Sequence, residues 1–230
     1  MNKVYLYIAG ALLTAACALG AYCYMKANKM KDYRRAFWLK GAAGLAFVLL
    51  GLAAALARDD KFGWLVFSGL VFGLAGDQLL ALRFVYADRH DFFFACGVLS
   101  FGVGHVLYIT ALQKLVGVLI GPSFGILALW MVGSAIYAII RKSNAGELQL
   151  FGVVYIGLVA FMSAVAVSSA FVRPNAGTLL FAVGGFSFLV SDNILSAYCF
   201  GNKKCWGMNI AVHATYYAAQ LMIAWSIAFV

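Results

Sequence analysis

The chain has 230 residues, of which 65% are hydrophobic and only 11% are charged. Soluble globular domains are near half apolar and a quarter charged, so this composition excludes a soluble domain and indicates a polytopic membrane protein. The net charge of +9 is then typical of topology signals and of contacts with anionic membrane lipids, and we expect no nucleic-acid partner.

Eight hydrophobic segments, each near the roughly 20 residues that span a bilayer, are predicted to be transmembrane helices. In chain order they cover residues 4–25, 36–57, 62–83, 92–112, 116–140, 148–171, 177–200 and 208–230. The first segment is kept as a helix, because it is too long for the apolar part of a signal peptide and lacks a convincing cleavage site. All connections are short, so we expect one all-α integral-membrane domain over residues 1–230.

Lys and Arg are distributed unequally between the two ends of these segments. Twelve of the 17, with Lys40 among them, lie in or beside the connections that follow the first, third, fifth and seventh segments. Because basic connections stay in the cytoplasm, we expect both termini outside it. The expected location is the inner membrane of a bacterium.

Two aspartates lie inside hydrophobic segments, Asp77 in the third and Asp192 in the seventh. Their surroundings, GDQLLA at residues 76–81 and SDNILS at residues 191–196, echo each other 115 residues apart, and Gly69 and Gly184 share that spacing. A carboxylate inside a bilayer is costly and by default indicates a functional site. The echo suggests a duplicated four-helix unit in parallel orientation, although short patterns of this kind also recur by chance in Leu-rich helices.

A His-x-x-Tyr motif follows each aspartate in the next segment, from His105 to Tyr108 and from His213 to Tyr216. On the last segment, His213, Tyr216 and Gln220 are spaced to share one helical face, which we expect to face the protein interior. From the helical rise, both aspartates and His213 lie in the cytoplasmic half of the bilayer. The first motif lies nearer the outer half and fits the group less well.

Buried carboxyl groups that lie close together can hold one proton between them, so that one is an acid and the other a base. Three other uses of such groups are considered. Asp and His also make ion relays in proton-coupled transporters, and both can bind zinc, although no clustered spacing of His supports a metal. An intramembrane aspartyl protease would carry G-x-G-D, where this chain has LAGD at residues 74–77. The five cysteines show neither disulfide nor zinc spacing, and we expect no cofactor.

Four motifs occur in order along the chain: GD-x-x-L at residues 76–80, F-x-x-GH-x-x-Y at 101–108, F-x-x-SD-x-x-L at 188–195 and YY-x-x-Q at 216–220. Together they resemble the YhhN-like lysoplasmalogenase family. The likeness covers the third to the eighth segments, and the length and helix number agree over the whole chain. The resemblance implies hydrolysis of the vinyl ether bond of a lysoplasmalogen, which releases a fatty aldehyde and glycerophospho-ethanolamine or -choline.

Cleavage of a vinyl ether requires a buried acid to protonate carbon and a carboxylate to stabilise the resulting oxocarbenium ion, as in glycoside hydrolysis. Asp77 and Asp192 are the predicted catalytic pair, with the identity of the acid left open. The predicted supporting residues are His105, Tyr108, Ser191, Asn193, His213, Tyr216 and Gln220. Arg83 and Lys203 are either topology signals or contacts to a phosphate headgroup. The expected partners are a lysophospholipid and membrane lipids, and glycine motifs leave a homodimer open.

Overall fold

The protein is described here by a computed structural model of residues 3–117, 123–127, 129–130, 149–200 and 205–230. These residues are almost entirely helical, and no strand occurs among them. The prediction of an all-α fold is confirmed. Most of the predicted segment 116–140 lies outside the described residues, and so does Lys203.

Seven long helices, numbered α1 to α7, occur in the described part of the chain. They are α1 (Lys3–Lys29), α2 (Tyr33–Arg58), α3 (Lys61–Val85), α4 (His90–Val116), α5 (Gln149–Val172), α6 (Ala176–Phe200) and α7 (Trp206–Phe229). A short 3₁₀ turn, Ala87–Arg89, joins α3 to α4. Each helix corresponds to one predicted hydrophobic segment, and its ends lie within four residues of the predicted ones.

Polar side chains define several helix ends. Asp32 caps α2 by accepting a hydrogen bond from the Arg35 amide at 3.2 Å, and Asp60 caps α3 by accepting one from the Gly63 amide at 2.8 Å. Such caps satisfy amides that have no partner in the first helical turn. Asp59 has a φ of 51° and ends α2 in the left-handed conformation. Asp32 and Asp60 therefore mark helix starts, and Asp59 marks a helix end.

Six of the described helices, α1 to α6, are long and apolar enough to cross a membrane. The chain is therefore an integral membrane protein. Helix α7 has 24 residues and is not one of these six, and Asn209, His213 and Gln220 interrupt its apolar sequence. Asn209 and Gln220 are buried inside the protein, together with Tyr216. The polar face of α7 thus points to the protein interior, as its spacing predicts.

The helices that carry the two aspartates each pack closely against the next helix in the chain, α3 against α4 and α6 against α7. Helix α2 contacts α3 and also α7, and α4 contacts α5. A Cβ placed on Gly76 would lie 3.1 Å from the Gly97 carbonyl oxygen, so the backbones of α3 and α4 nearly touch. Small residues permit this approach, and it brings helices from both halves of the chain around one interior.

Candidate active site

Both aspartates line one cavity of about 600 Å³ that is formed by residues of all seven described helices. Asp77 is 2% exposed and Asp192 is 7% exposed. The cavity extends to the end of the bundle where α1 and α3 finish and where α4 and α7 begin, near Lys29, Arg83 and Trp206. The structure therefore brings together two carboxyl groups that are 115 residues apart in the sequence.

Asp77 forms an ion pair with Lys40 of α2. The Lys40 Nζ lies 2.8 Å from the Asp77 Oδ1, and both side chains are almost fully buried. The second carboxylate oxygen, Asp77 Oδ2, has no hydrogen-bond partner in the described part of the chain. One oxygen of this carboxylate is thus held by a cation, and the Tyr216 hydroxyl lies beside the carboxyl group.

Asp192 has a different partner, the phenol of Tyr155 on α5. The Tyr155 hydroxyl donates a hydrogen bond of 2.7 Å to the Asp192 Oδ2. No Lys, Arg or His among the described residues forms an ion pair with Asp192. The two carboxyl groups therefore occupy one cavity with a buried cation beside only one of them.

A chain of hydrogen bonds links three of the predicted supporting residues. The Tyr108 hydroxyl donates to the Gln220 Oε1 at 3.1 Å, and the Gln220 Nε2 donates to the Tyr216 oxygen at 3.0 Å. Tyr216 lies beside the Asp77 carboxyl and lines the cavity. Tyr108 and Gln220 are buried behind it and do not line the cavity. They fix the position of Tyr216.

His213 lines the cavity and pairs with Tyr24 of α1. Its Nε2 lies 2.8 Å from the Tyr24 hydroxyl oxygen, and the two rings stack with centroids 4.8 Å apart. Tyr24 is a cavity residue that the motifs did not indicate. This pair supplies hydroxyl and imidazole groups on the side of the cavity formed by α1 and α7.

Three other predicted residues make packing contacts or hydrogen bonds that hold the helices. His105 is 1% exposed, neither ring nitrogen has a hydrogen-bond partner among the described residues, and its ring centroid lies 4.7 Å from that of Phe188. Asn193 donates to the Leu189 carbonyl oxygen of its own helix at 2.7 Å. Ser191 lines the cavity but donates to the Val212 carbonyl oxygen at 3.0 Å. His105 and Asn193 do not line the cavity.

Basic side chains surround the cavity near the helix ends. Lys29, Lys31, Arg83 and His90 line it there. The guanidinium of Arg83 lies over the Phe84 ring at 4.6 Å, and its Nε is buried without a hydrogen-bond partner in the described residues. This end of the cavity has the positive charge needed to bind an anion. No group of three or more His, Cys, Asp or Glu side chains that could hold a metal occurs within the described ranges.

The partners Lys40 and Tyr155 are themselves 115 residues apart, the spacing of the two aspartates. Sequence reasoning assigned Lys40 to the topology signal and overlooked Tyr155. Their different chemistry hides the relation, since no residue identity repeats between them. The one signal that could have found them is their own 115-residue spacing, in the helices that precede those of the two aspartates.

The two His-x-x-Tyr motifs, in contrast, do not occupy matching positions. A Cβ on Gly104 would lie 3.1 Å from the Gly69 carbonyl oxygen, and a Cβ on Gly184 would lie 3.1 Å from the Ala219 carbonyl oxygen. Both members of these pairs are offset by 115 residues, whereas the His motifs are offset by 108. The position that matches His105 is Gln220, so the expected repetition of the His motif differs from the packing.

Comparison with known proteins identifies the family. Residues 38–227 match the model of the YhhN family. The lysoplasmalogenase TMEM86A of Bos taurus is 30% identical to the chain over 166 residues, which cover 70% of this chain and 64% of the relative. The chain thus spans less than two thirds of that relative's length. No solved structure matches it. The resemblance inferred from the four motifs is confirmed, and the chain belongs to the YhhN family.

Proposed function

We propose that the protein is an intramembrane hydrolase that cleaves the vinyl ether bond of lysoplasmalogens, releasing a fatty aldehyde and glycerophospho-ethanolamine or -choline. The observation that carries this proposal is the pair of buried aspartates, Asp77 and Asp192, in one cavity with cations near its end. Membership of the YhhN family and the similarity to a protein named lysoplasmalogenase support the choice of substrate.

The chemistry of a vinyl ether fits two carboxyl groups. Protonation of the outer alkenyl carbon produces an oxocarbenium ion, water attacks that cation to form a hemiacetal, and the hemiacetal collapses to aldehyde and glycerol hydroxyl. A buried acid and a nearby carboxylate supply the proton and stabilise the cation, as they do for the similar cation of glycoside hydrolysis. Asp77 and Asp192 are the proposed pair, and no serine nucleophile is needed.

The supporting roles follow from the hydrogen bonds. Tyr216 accepts from Gln220 and lies beside Asp77, so its hydroxyl proton is directed at that carboxylate. His213 and Tyr24 form a second hydrogen-bonded pair that lines the cavity. Tyr108 acts through Gln220 as a positioning residue.

Substrate orientation is proposed from the charges. Arg83 lies six residues beyond Asp77 on α3, about 9 Å nearer the helix end. A phosphate headgroup near Arg83, Lys29 and Lys31 would leave the vinyl ether beside the aspartates, because the glycerol separates the two groups. With the positive-inside orientation, the substrate enters from the cytoplasmic leaflet and both chain termini are outside.

Internal duplication is part of the proposal. Three pairs of interhelical contacts recur at an offset of 115 residues, in α2–α4 and in α5–α7. The contact of Lys40 with Asp77 matches that of Tyr155 with Asp192. The contact of Gly69 with Gly104 matches that of Gly184 with Ala219. The contact of Gly76 with Gly97 matches that of Ser191 with Val212. Two pairs of spin labels test this, one pair in each half and both at matching positions. We expect the label-to-label distance to be equal in the two halves, and unequal distances would contradict the duplication.

Aldehyde release from a lysoplasmalogen by the detergent-purified protein tests the function. We expect release by the wild type, none by Asp77→Asn or Asp192→Asn, and normal release by Asp88→Asn, which removes an exposed carboxylate. Activity retained in both buried variants would contradict the aspartate mechanism. Loss of activity on adding a chelator would instead indicate a metal site. A folded wild type that releases no aldehyde would favour the transporter alternative.

A further inference from the structure

We infer that the two aspartates have separate and fixed roles: Asp192 is the proton donor, positioned by Tyr155, and Asp77 is the carboxylate that Lys40 keeps ionised. This inference rests on the proposed vinyl ether hydrolysis and deepens it by naming the acid. It also brings in two positioning residues that the motifs did not indicate, one from α2 and one from α5.

The geometry at Asp77 requires a charged carboxylate. Lys40 and Asp77 are buried together at 2.8 Å, with side chains only 9% and 3% exposed. If either group lost its charge, the other would remain as an isolated buried ion, which is far more costly than the pair. The ion pair therefore holds Asp77 as a carboxylate before the substrate binds.

The geometry at Asp192 requires a neutral carboxyl. Its hydrogen-bond partner is the uncharged phenol of Tyr155, and no ion pair reaches it from the described residues. Arg83, another cation that lines the cavity, lies over the Phe84 and Phe94 rings near the helix ends. An ionised Asp192 would add a second, uncompensated negative charge to a cavity whose buried ammonium already serves Asp77. The proton is therefore on Asp192.

From these starting states, every proton in the catalytic cycle is accounted for. Asp192 transfers its proton to the outer alkenyl carbon, the double bond supplies the electrons of the new C–H bond, and the ether oxygen shares the positive charge. Asp77 stabilises that cation and takes a proton from the water whose oxygen bonds to the inner carbon. In the collapse of the hemiacetal, protonated Asp77 gives its proton to the departing glycerol oxygen. Ionised Asp192 takes the hydroxyl proton, so both residues return to their starting states.

Tyr155 has a defined part in this cycle. Its hydroxyl holds the Asp192 Oδ2 at 2.7 Å, which leaves the other carboxyl oxygen to carry the transferred proton. The same hydrogen bond stabilises the Asp192 carboxylate once the proton has moved to carbon, because hydrogen bonds to ionised acceptors are the stronger ones. Tyr155 therefore positions the acid and does not itself need to touch the substrate.

Infrared spectroscopy of the protein purified in an ester-free detergent tests the assignment, because a protonated carboxylic acid has a C=O stretching band that a carboxylate lacks. We expect one such band in the wild type, its loss in Asp192→Asn, and its retention in the double variant Lys40→Met/Asp77→Asn, which removes the ion pair as a unit. Tyr155→Phe should keep the band and shift its frequency, so Asp192 is identified even if Asp192→Asn fails to fold. Asp88→Asn is the control that leaves the band unchanged.

Contrary outcomes are distinct. A band that disappears in the double variant and persists in Asp192→Asn would reverse the two roles, and a wild type without any band would overturn the inference. If the bands behave as expected but the wild type releases no aldehyde from a lysoplasmalogen, the proposed function fails while the assignment of charge stands.

Discussion

The two halves of this protein hold their aspartates in matching frames with different partners. In α2–α4, Asp77 is paired with the ammonium of Lys40, and in α5–α7, Asp192 is bonded to the phenol of Tyr155. The contacts between the helices share one offset, yet the chemistry beside each carboxyl differs. Under the proposed assignment, these different partners hold two identical side chains in unlike states, which is what a reaction with an acid and a base requires.

A second pair of matching positions differs in the same manner. Gln220 bonds to both Tyr108 and Tyr216, whereas His105 lies among aromatic rings without a hydrogen bond in the described structure. The network is formed by Tyr216 and Gln220 of α7 and by Tyr108 of α4, and Tyr216 lies beside Asp77 of α3. The polar groups are therefore concentrated on the side of the ion pair.

Among the substitutions that test the difference between the two aspartates, Lys40→Met should lower stability and activity most. Removing one member of a buried ion pair leaves an uncompensated charge and costs about 3–5 kcal/mol of stability. We expect a strongly lowered melting temperature in detergent and no aldehyde release. Lys40→Arg should retain part of both properties, and Lys29→Met, at the end of the cavity, should leave the melting temperature unchanged. A Lys40→Met variant with wild-type stability and activity would show that the ion pair is dispensable.

Gly69→Ala and Gly184→Ala compare the same backbone position in the two halves. A Cβ on Gly69 would lie 2.3 Å from the buried ring of Tyr108, whereas a Cβ on Gly184 would lie 3.0 Å from Ile223. We expect Gly69→Ala to cost about 1–3 kcal/mol, as overpacking does, and Gly184→Ala to cost less. Melting temperatures in one detergent measure both. Equal losses would mean that Tyr108 can move as easily as Ile223.

The fold was predictable because an apolar run of about 20 residues has few alternatives to a membrane-spanning helix. Helix ends were harder to place, since charged residues such as Lys26 and Lys29 continue the last turn of α1. Cations at a helix C-terminus are favourable, so the helix extends beyond its apolar part. Helix α7 is not among the candidate spans, because polar residues that face the protein interior interrupt its apolar sequence.

Within the site, the aspartates were predictable because a carboxylate in a membrane is too costly to be accidental. Lys40 was not, since it resembles the basic residues that signal topology, and Tyr155 is one of 12 tyrosines. The His-x-x-Tyr echo misled for a physical reason. Its offset differs from that of the packing by seven residues, about two helical turns, so the motifs fall on similar faces at different depths.

Gln220→Leu and His105→Leu compare the matching polar positions. The first change removes two buried hydrogen bonds and leaves the Tyr108 hydroxyl without a partner, which should cost about 1–3 kcal/mol. The second removes a ring that makes no hydrogen bond in the described structure, so we expect a smaller loss of stability and retained activity. Melting temperature and aldehyde release are measured for both. A His105→Leu protein that is stable but inactive would show that His105 has a catalytic role.

Tyr155→Phe should have the smallest effect on stability, because it removes one hydrogen bond and leaves no charge unpaired. The loss should be about 1 kcal/mol, well below that of Lys40→Met, since Asp192 is neutral under the proposed assignment. Turnover should fall about tenfold with little change in KM, as expected when a hydrogen bond to the acid strengthens only after the proton moves. Steady-state aldehyde release over a range of lysoplasmalogen concentrations separates the two constants. An increase in KM alone would place Tyr155 in substrate binding, and the asymmetry of the two aspartates would then depend on Lys40 alone.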